Sequence, residues 1–235
     1  MTRKYLGAAC LAATTLTLAA CGNDTERSDT STVLRQTLGG VAAQAGQMVG
    51  GSAAAPATPA RSPDQIAAAA LQANPGPLIL ATVESAGNMQ AMALIGENGS
   101  RRTFATTNQQ ALVLDQGVLT STKGLGHDLN ATDAQASTAL IRARRAGQAN
   151  RVNYYLTGEG VERALPVSCT ITSGEMQAFD FAGRIWSARQ MAEHCQGHGA
   201  DFTNNYLVAG DGSIVLSRQW IGPAMGYVTI QTIRP

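Results

Sequence analysis

Short runs in which apolar and polar residues alternate dominate the chain from about residue 78 onward. Period-two alternation marks a strand with one buried face. Such runs occupy 78–83, 89–95, 101–106, 112–114 and 118–122, separated by turn formers such as Ala86-Gly87-Asn88, Asn98-Gly99 and Asp115-Gln116-Gly117. Residues 151–157 alternate as well, which predicts Val152, Tyr154 and Leu156 on the apolar face. Leu165, Val167, Cys169 and Ile171 follow the same rule, and 177–181 and 184–191 flank Gly183 as a further hairpin. Near the end, 205–209 and 213–220 flank Gly210-Asp211-Gly212. Asp and Gly tolerate the positive φ of primed turns, so this is a strong hairpin signal. Gly222-Pro223 closes that strand and Gly226 opens the last, 227–233. Helical signals are few. Ser62, Pro63 and Gln65 form a capping box with proline at the first helical position, predicting a helix over 63–73 that stops before Asn74-Pro75-Gly76-Pro77. Residues 133–147, with Leu140 and Ile141, fit a short helix ended by Gly147. The expected fold class is all-β: an antiparallel half-barrel or bent sheet of about ten or eleven strands with a short N-terminal helix.

The N-terminus carries an address. Residues 1–21 read as Arg3 and Lys4, then a stretch of small and apolar residues too short for a permanent bilayer span, then Leu18-Ala19-Ala20-Cys21. The last four resemble the lipobox of bacterial lipoproteins, which implies cleavage before Cys21 and acylation of that cysteine. The alternative is an ordinary signal peptide cut at an alanine site. Gly22, where an Asp tends to retain lipoproteins in the inner membrane, leans the expected location to the outer membrane, facing the periplasm. Residues 22–61 read as a tether, with a Gly-Ala-Pro-rich stretch from Gly50 to Pro59. Residues 62–235 are the expected single β-rich domain.

Charge and cysteines narrow the classes. The full chain carries a formal +1, and removing residues 1–21 takes away two cations and no acid. There is no electrostatic footprint for nucleic acid. With Cys10 lost and Cys21 acylated, Cys169 and Cys195 remain, and an oxidising compartment favours a disulfide between them. Cys195 also lies between His194 and His198, but no second ligand pair matches, so a metal is not expected. No Gly-x-Ser-x-Gly elbow and no phosphate-cradling glycine loop is present, so no cofactor is expected.

The C-terminal third resembles the YjbF/GfcB lipoproteins through Glu193, Cys195, Phe202-Thr203-Asn204-Asn205-Tyr206, Ser217-Arg218-Gln219-Trp220-Ile221-Gly222-Pro223 and Gly226. Thr122-Lys123-Gly124-Leu125-Gly126-His127-Asp128-Leu129 resembles that family's central glycine motif. The resemblance implies an antiparallel half-barrel of about eleven strands. It also implies a role in systems that make or export capsule or exopolysaccharide, with the polysaccharide and export proteins as partners. It supplies no molecular activity.

Candidate chemistry is sparse. In the glycine motif His127 is a candidate base beside Asp128, but adjacent strand residues face opposite ways, and a turn is the simpler reading. Trp186, Arg218, Gln219 and Trp220 are the candidate glycan contacts, since aromatic faces stack on sugar rings and Arg and Gln donate hydrogen bonds. The alternative is that both tryptophans fill the core. Alternation places Arg218 and Trp220 with Ile214 and Leu216 on a largely buried face, which predicts that Arg218 pairs with a carboxylate, Glu193 and Asp180 being the candidates, or with backbone carbonyls, and orients the Gly222-Pro223 turn. The expected function is a non-enzymatic lipoprotein assisting polysaccharide assembly, export or attachment. The alternatives are a carrier of lipid or acyl chains, with a pocket lined by residues such as Leu80, Val152 and Leu156, and a polysaccharide-modifying enzyme.

Overall fold

A computed structural model describes residues 61–235. Cys21, the signal segment and the tether lie outside the described residues. The chain runs through α1 (Pro63–Ala73), β1 (Leu78–Val83), a 3-10 turn, β2 (Asn88–Asn98), β3 (Arg101–Ala105), β4 (Ala111–Asp115), β5 (Val118–Lys123) and β6 (Leu129–Asp133). It continues through α2 (Gln135–Arg142), β7 (Gly147–Leu156), β8 (Glu162–Phe181), β9 (Arg184–Gly197), β10 (Ala200–Ala209), β11 (Ile214–Gly222) and β12 (Gly226–Arg234). All 12 strands form one antiparallel sheet in the order β5-β4-β3-β2-β1-β12-β11-β10-β9-β8-β7-β6. The two edges, β5 and β6, are consecutive in the chain, so the sheet curls into a nearly closed barrel whose seam lies between them.

The strand count exceeds the expected ten or eleven through β6. β6 reads Leu-Asn-Ala-Thr-Asp and has little apolar pattern of its own. β8 works the other way: it passes through Gly174 as one strand of 20 residues where the alternation suggests two, its pairing with β9 shifting between Ser173 and Met176.

α1 is capped as the sequence predicts: Ser62 Oγ accepts from Gln65 N–H at 3.2 Å and Gln65 Oε1 from Ser62 N–H at 2.9 Å. Its Ala67 packs with Leu78, Leu80, Ile233 and Leu207, and the far end of the β8–β9 hairpin reaches it with Phe181 and Trp186. At the other end, Arg234 Nη1 donates to the carbonyls of the C-cap Asn74 and of Gly76 in the following turn, tying both to β12. α2 lies against β7, β8 and β10, burying Ile141 among Val167, Cys169, Ile171 and Met191.

On two strands the buried face is the opposite of the expected one. In β7 the wholly buried residues are Arg151 and Asn153, while Val152 and Tyr154 are half-buried and Leu156 is exposed. In β11 Val215, Ser217, Gln219 and Ile221 are buried, and Ile214, Leu216, Arg218 and Trp220 are only partly so. The expected faces fail here because Arg151, Asn153, Ser217 and Gln219 enter a hydrogen-bonded patch of the interior, beside apolar Val215 and Ile221.

Candidate functional site

A polar network is set within the otherwise apolar interior. Arg151 Nη1 donates to Glu193 Oε2 at 3.0 Å, and both side chains are wholly buried. The same carboxylate oxygen accepts from Asn204 Nδ2 at 2.8 Å and from Tyr206 Oη at 2.9 Å. Arg151 Nε donates to Asn153 Oδ1, which also accepts from Thr132 Oγ1. Burial pushes the Glu193 carboxyl up, but Arg151 with the bonds from Asn204 and Tyr206 outweighs it and holds the group below its usual value. Burial pushes the Tyr206 phenol well up, with the Glu193 charge adding to it. Ser137 of α2 lies near enough to favour the Glu193 charge, although its Oγ makes no aligned hydrogen bond.

The seam is closed from inside. Wholly buried Gln219 accepts from Leu119 N–H at 2.8 Å and donates from Nε2 to the Gly117 carbonyl at 3.1 Å. Its side chain thus acts as a short strand against the free edge of β5, where unpaired backbone groups would otherwise invite another chain.

Outside this seal the β5–β6 loop bounds a cleft of about 920 Å³. Asp128 builds the loop. Its carboxylate accepts from Thr122 Oγ1 at 2.8 Å, Gly124 N–H at 2.9 Å and Leu125 N–H at 3.1 Å. Thr122 Oγ1 in turn accepts from Leu129 N–H at 2.9 Å, tying β5 to β6. Gly124 sits at φ +77°, and a Cβ there would meet the Gln109 carbonyl oxygen at 2.9 Å, so only glycine fits. Asp128 is therefore a turn organiser, and His127 stands exposed at the cleft without a hydrogen bond to it.

Lys123 and Arg163 bring two cations to the cleft, and neither makes an ion pair among the described residues. Tyr155 supplies the aromatic wall. Its Oη donates to the Ile221 carbonyl at 2.8 Å, and its ring meets Trp220 edge-on with centroids 6.4 Å apart. A Cβ on Gly222 would lie 3.0 Å from the Tyr155 ring, so glycine at 222 lets the ring seat. Burial pushes the Tyr155 phenol up to about 12, so it stays a neutral donor at physiological pH.

The residues singled out from the sequence fall in different places. Cys169 and Cys195 face each other across β8 and β9 and form a disulfide, Cα–Cα 4.0 Å. Glu193 lies close to both sulfurs, a trio of metal-ligand types, but the sulfurs are bonded to each other and the carboxylate to Arg151. Trp186 is buried, 8% exposed, under Arg184, whose guanidinium lies 4.5 Å above its ring. Trp220 stacks on Phe202, centroids 4.3 Å apart, and backs the Tyr155 wall without lining the cleft. Gln219 is sealed in the seam and offers nothing to a surface glycan. Arg218 pairs with Glu84, at 2.6 and 2.7 Å, and lies 3.4 Å over the Tyr227 ring. Its partner is neither Glu193 nor Asp180, and its side chain is 39% exposed. Leu80, Val152 and Leu156 share no cavity: Leu80 packs under α1, and of the three only Leu156 lines the cleft.

Lys123, Tyr155 and Arg163 were not among the candidate site residues legible in the sequence. The available signal was the glycine motif, which ends one strand and begins another with a charge at its start.

A search of curated proteins finds no match. Among solved structures, the hypothetical lipoprotein YmcC from Escherichia coli K12 is similar in fold, with TM-score 0.62 and 18% identity over 70% of this chain and 89% of that one. A Bacteroides fragilis protein described as having a YmcC-like fold covers 67% of this chain and 93% of its own at 12% identity, with a TM-score of 0.28 that carries no argument. The family model described as group 4 capsule polysaccharide lipoprotein gfcB, YjbF matches residues 36–233, and the chain belongs to that family.

Proposed function

We propose that this protein is an outer-membrane lipoprotein, anchored through acylated Cys21 and facing the periplasm, that assists assembly, export or attachment of a capsule or exopolysaccharide without catalysing a reaction. The seam cleft carries this reading. It is a preformed surface on a rigid barrel, and its one carboxylate, Asp128, is already engaged by three donors of its own loop. Hydrolysis of a glycosidic bond calls for a pair of free carboxyl groups about 5–10 Å apart. The cleft instead offers hydroxyls, amides, two cations and an aromatic wall, which suits holding a chain. Family membership supports the capsule context.

The test is genetic. Deleting the gene should lower cell-bound polysaccharide or release it to the medium, and the wild-type chain should restore it. The Cys21→Ser chain should fail to restore it and fail to incorporate a fatty-acid analogue. Unchanged polysaccharide in the deletion strain contradicts the capsule role. Equal labelling of both chains contradicts the anchor.

A further inference from the structure

We propose that the seam cleft binds an anionic saccharide segment, one carrying carboxylate groups on its rings, with Lys123 and Arg163 as the charge contacts and Tyr155 as the stacking wall. This deepens the proposed function and rests on it for the choice of a saccharide.

The charge argument is direct. Two formal cations line the cleft, and the single acid there already accepts three hydrogen bonds. Unpaired guanidinium and ammonium groups beside hydroxyls form strong charge-assisted bonds to carboxylates. Of the remaining polar lining, Ser121 offers a hydroxyl and Asn130 its amide oxygen, its Nδ2 being given to Glu162 at 2.6 Å. Thr157 offers its hydroxyl proton, its Oγ1 accepting from Val161 N–H, and these groups match the hydroxyls of a sugar. The volume of about 920 Å³ lies at the upper end of small-ligand sites.

The shape argument separates a saccharide from a lipid. An acyl chain needs a deep apolar channel. Behind Tyr155 the cleft meets Asn153, whose Nδ2 donates to Tyr155 Oη at 3.4 Å, and then the Arg151–Glu193 pair. Beside that pair, Tyr155 also packs against the buried cluster that holds Leu129 and Ile221, so the space behind the wall is filled by packed core rather than an open apolar channel for a hydrocarbon tail. The apolar groups at the cleft, Leu156 and Pro223 among them, are exposed at the rim, where ring C–H faces can cover them. Tyr155 is fixed by its bond to the Ile221 carbonyl and by Trp220, so little side-chain freedom is lost when a ring stacks on it.

The experiment uses the full acylated protein in detergent micelles, titrated with a galacturonate hexamer, with maltohexaose as the neutral probe and with phosphatidylglycerol added to the micelles. The galacturonate should bind, weaken with added salt, and bind about tenfold or more tighter than maltohexaose. Lys123→Ala with Arg163→Ala should weaken it by about tenfold or more at an unchanged melting temperature, since both side chains are exposed and unpaired. Gly158→Trp, at an exposed cleft position with open space around its Cα, should block binding sterically. Failure of galacturonate to bind at millimolar concentration, equal binding of maltohexaose, or full binding by both variants overturns the proposal. Displacement of galacturonate by phosphatidylglycerol overturns it in favour of a lipid-headgroup site. If the double variant restores polysaccharide to deletion cells, the capsule role stands and the site falls. If galacturonate binds but deletion leaves polysaccharide unchanged, the site stands and the capsule role falls.

Discussion

Arg151→Ala is the sharpest perturbation of the interior. It removes the Nη1 bond to Glu193 and the Nε bond to Asn153. The carboxylate is left with Asn204 and Tyr206 on Oε2 and no partner on Oε1, still wholly buried. Breaking a buried pair from one side strands the other charge, so the expected loss is about 3–5 kcal/mol in urea unfolding at neutral pH. The pH profile tests the cause. In the wild type the folded Glu193 titrates below its usual 4.5, so its contribution is present above that pH and disappears as pH falls through the folded value. Without Arg151, burial decides and the folded value moves above the unfolded one. The variant should then lose stability as pH rises from about 4.5 towards the raised value, the opposite slope. Adding Glu193→Gln should recover much of the loss, because no charge remains to strand. A loss under about 1 kcal/mol, or an unchanged slope, would refute the reasoning that the pair is desolvated and mutually dependent.

Three further outcomes follow from the described contacts. Cys169→Ala with Cys195→Ala should cost about 3–4 kcal/mol on the chain-entropy model for a sequence separation of 26, read as a lower unfolding midpoint that reductant reproduces in the wild type. Gln219→Leu should cost about 1–3 kcal/mol by leaving Leu119 N–H and the Gly117 carbonyl without partners, and should promote self-association, seen by light scattering, through the uncovered β5 edge. Arg218→Ala should cost only about 1 kcal/mol, shrinking in high salt, because its pair with Glu84 is a surface pair; a salt-independent loss of 3 kcal/mol or more would restore a buried role.

Much of the frame was legible in the sequence because it rests on local signals. Ser62, Pro63 and Gln65 gave the helix Pro63–Ala73, and Asp211-Gly212 and Gly226 gave the last two turns. The inward faces of β7 and β11 were not legible. Alternation alone cannot say which face is inside when Val152, Tyr154 and Leu156 alternate with Arg151, Asn153 and Tyr155. The deciding partner, Glu193, lies 42 residues from Arg151, and Gln219 lies 100 residues from Leu119. The first forms once β7, β8 and β9 lie side by side and the second only when the sheet curls, so no short window of sequence contains either. The same holds for the cleft, where Lys123, Tyr155, Arg163 and Gly222 come from four separate strands. Arg218 misled for a related reason: its partner Glu84 lies 134 residues away, just past β1 on the far side of β12.

The most direct measurement of the account is photocrosslinking in living, polysaccharide-producing cells. A photoreactive phenylalanine replaces Leu156, 56% exposed on the cleft rim, or Ile95, 67% exposed on β2 and outside the cleft. A glycan-bearing adduct is expected from position 156, disappearing with Lys123→Ala and Arg163→Ala, and none from position 95. Equal glycan adducts at both positions, or none at 156 while the protein supports normal polysaccharide output, would contradict it.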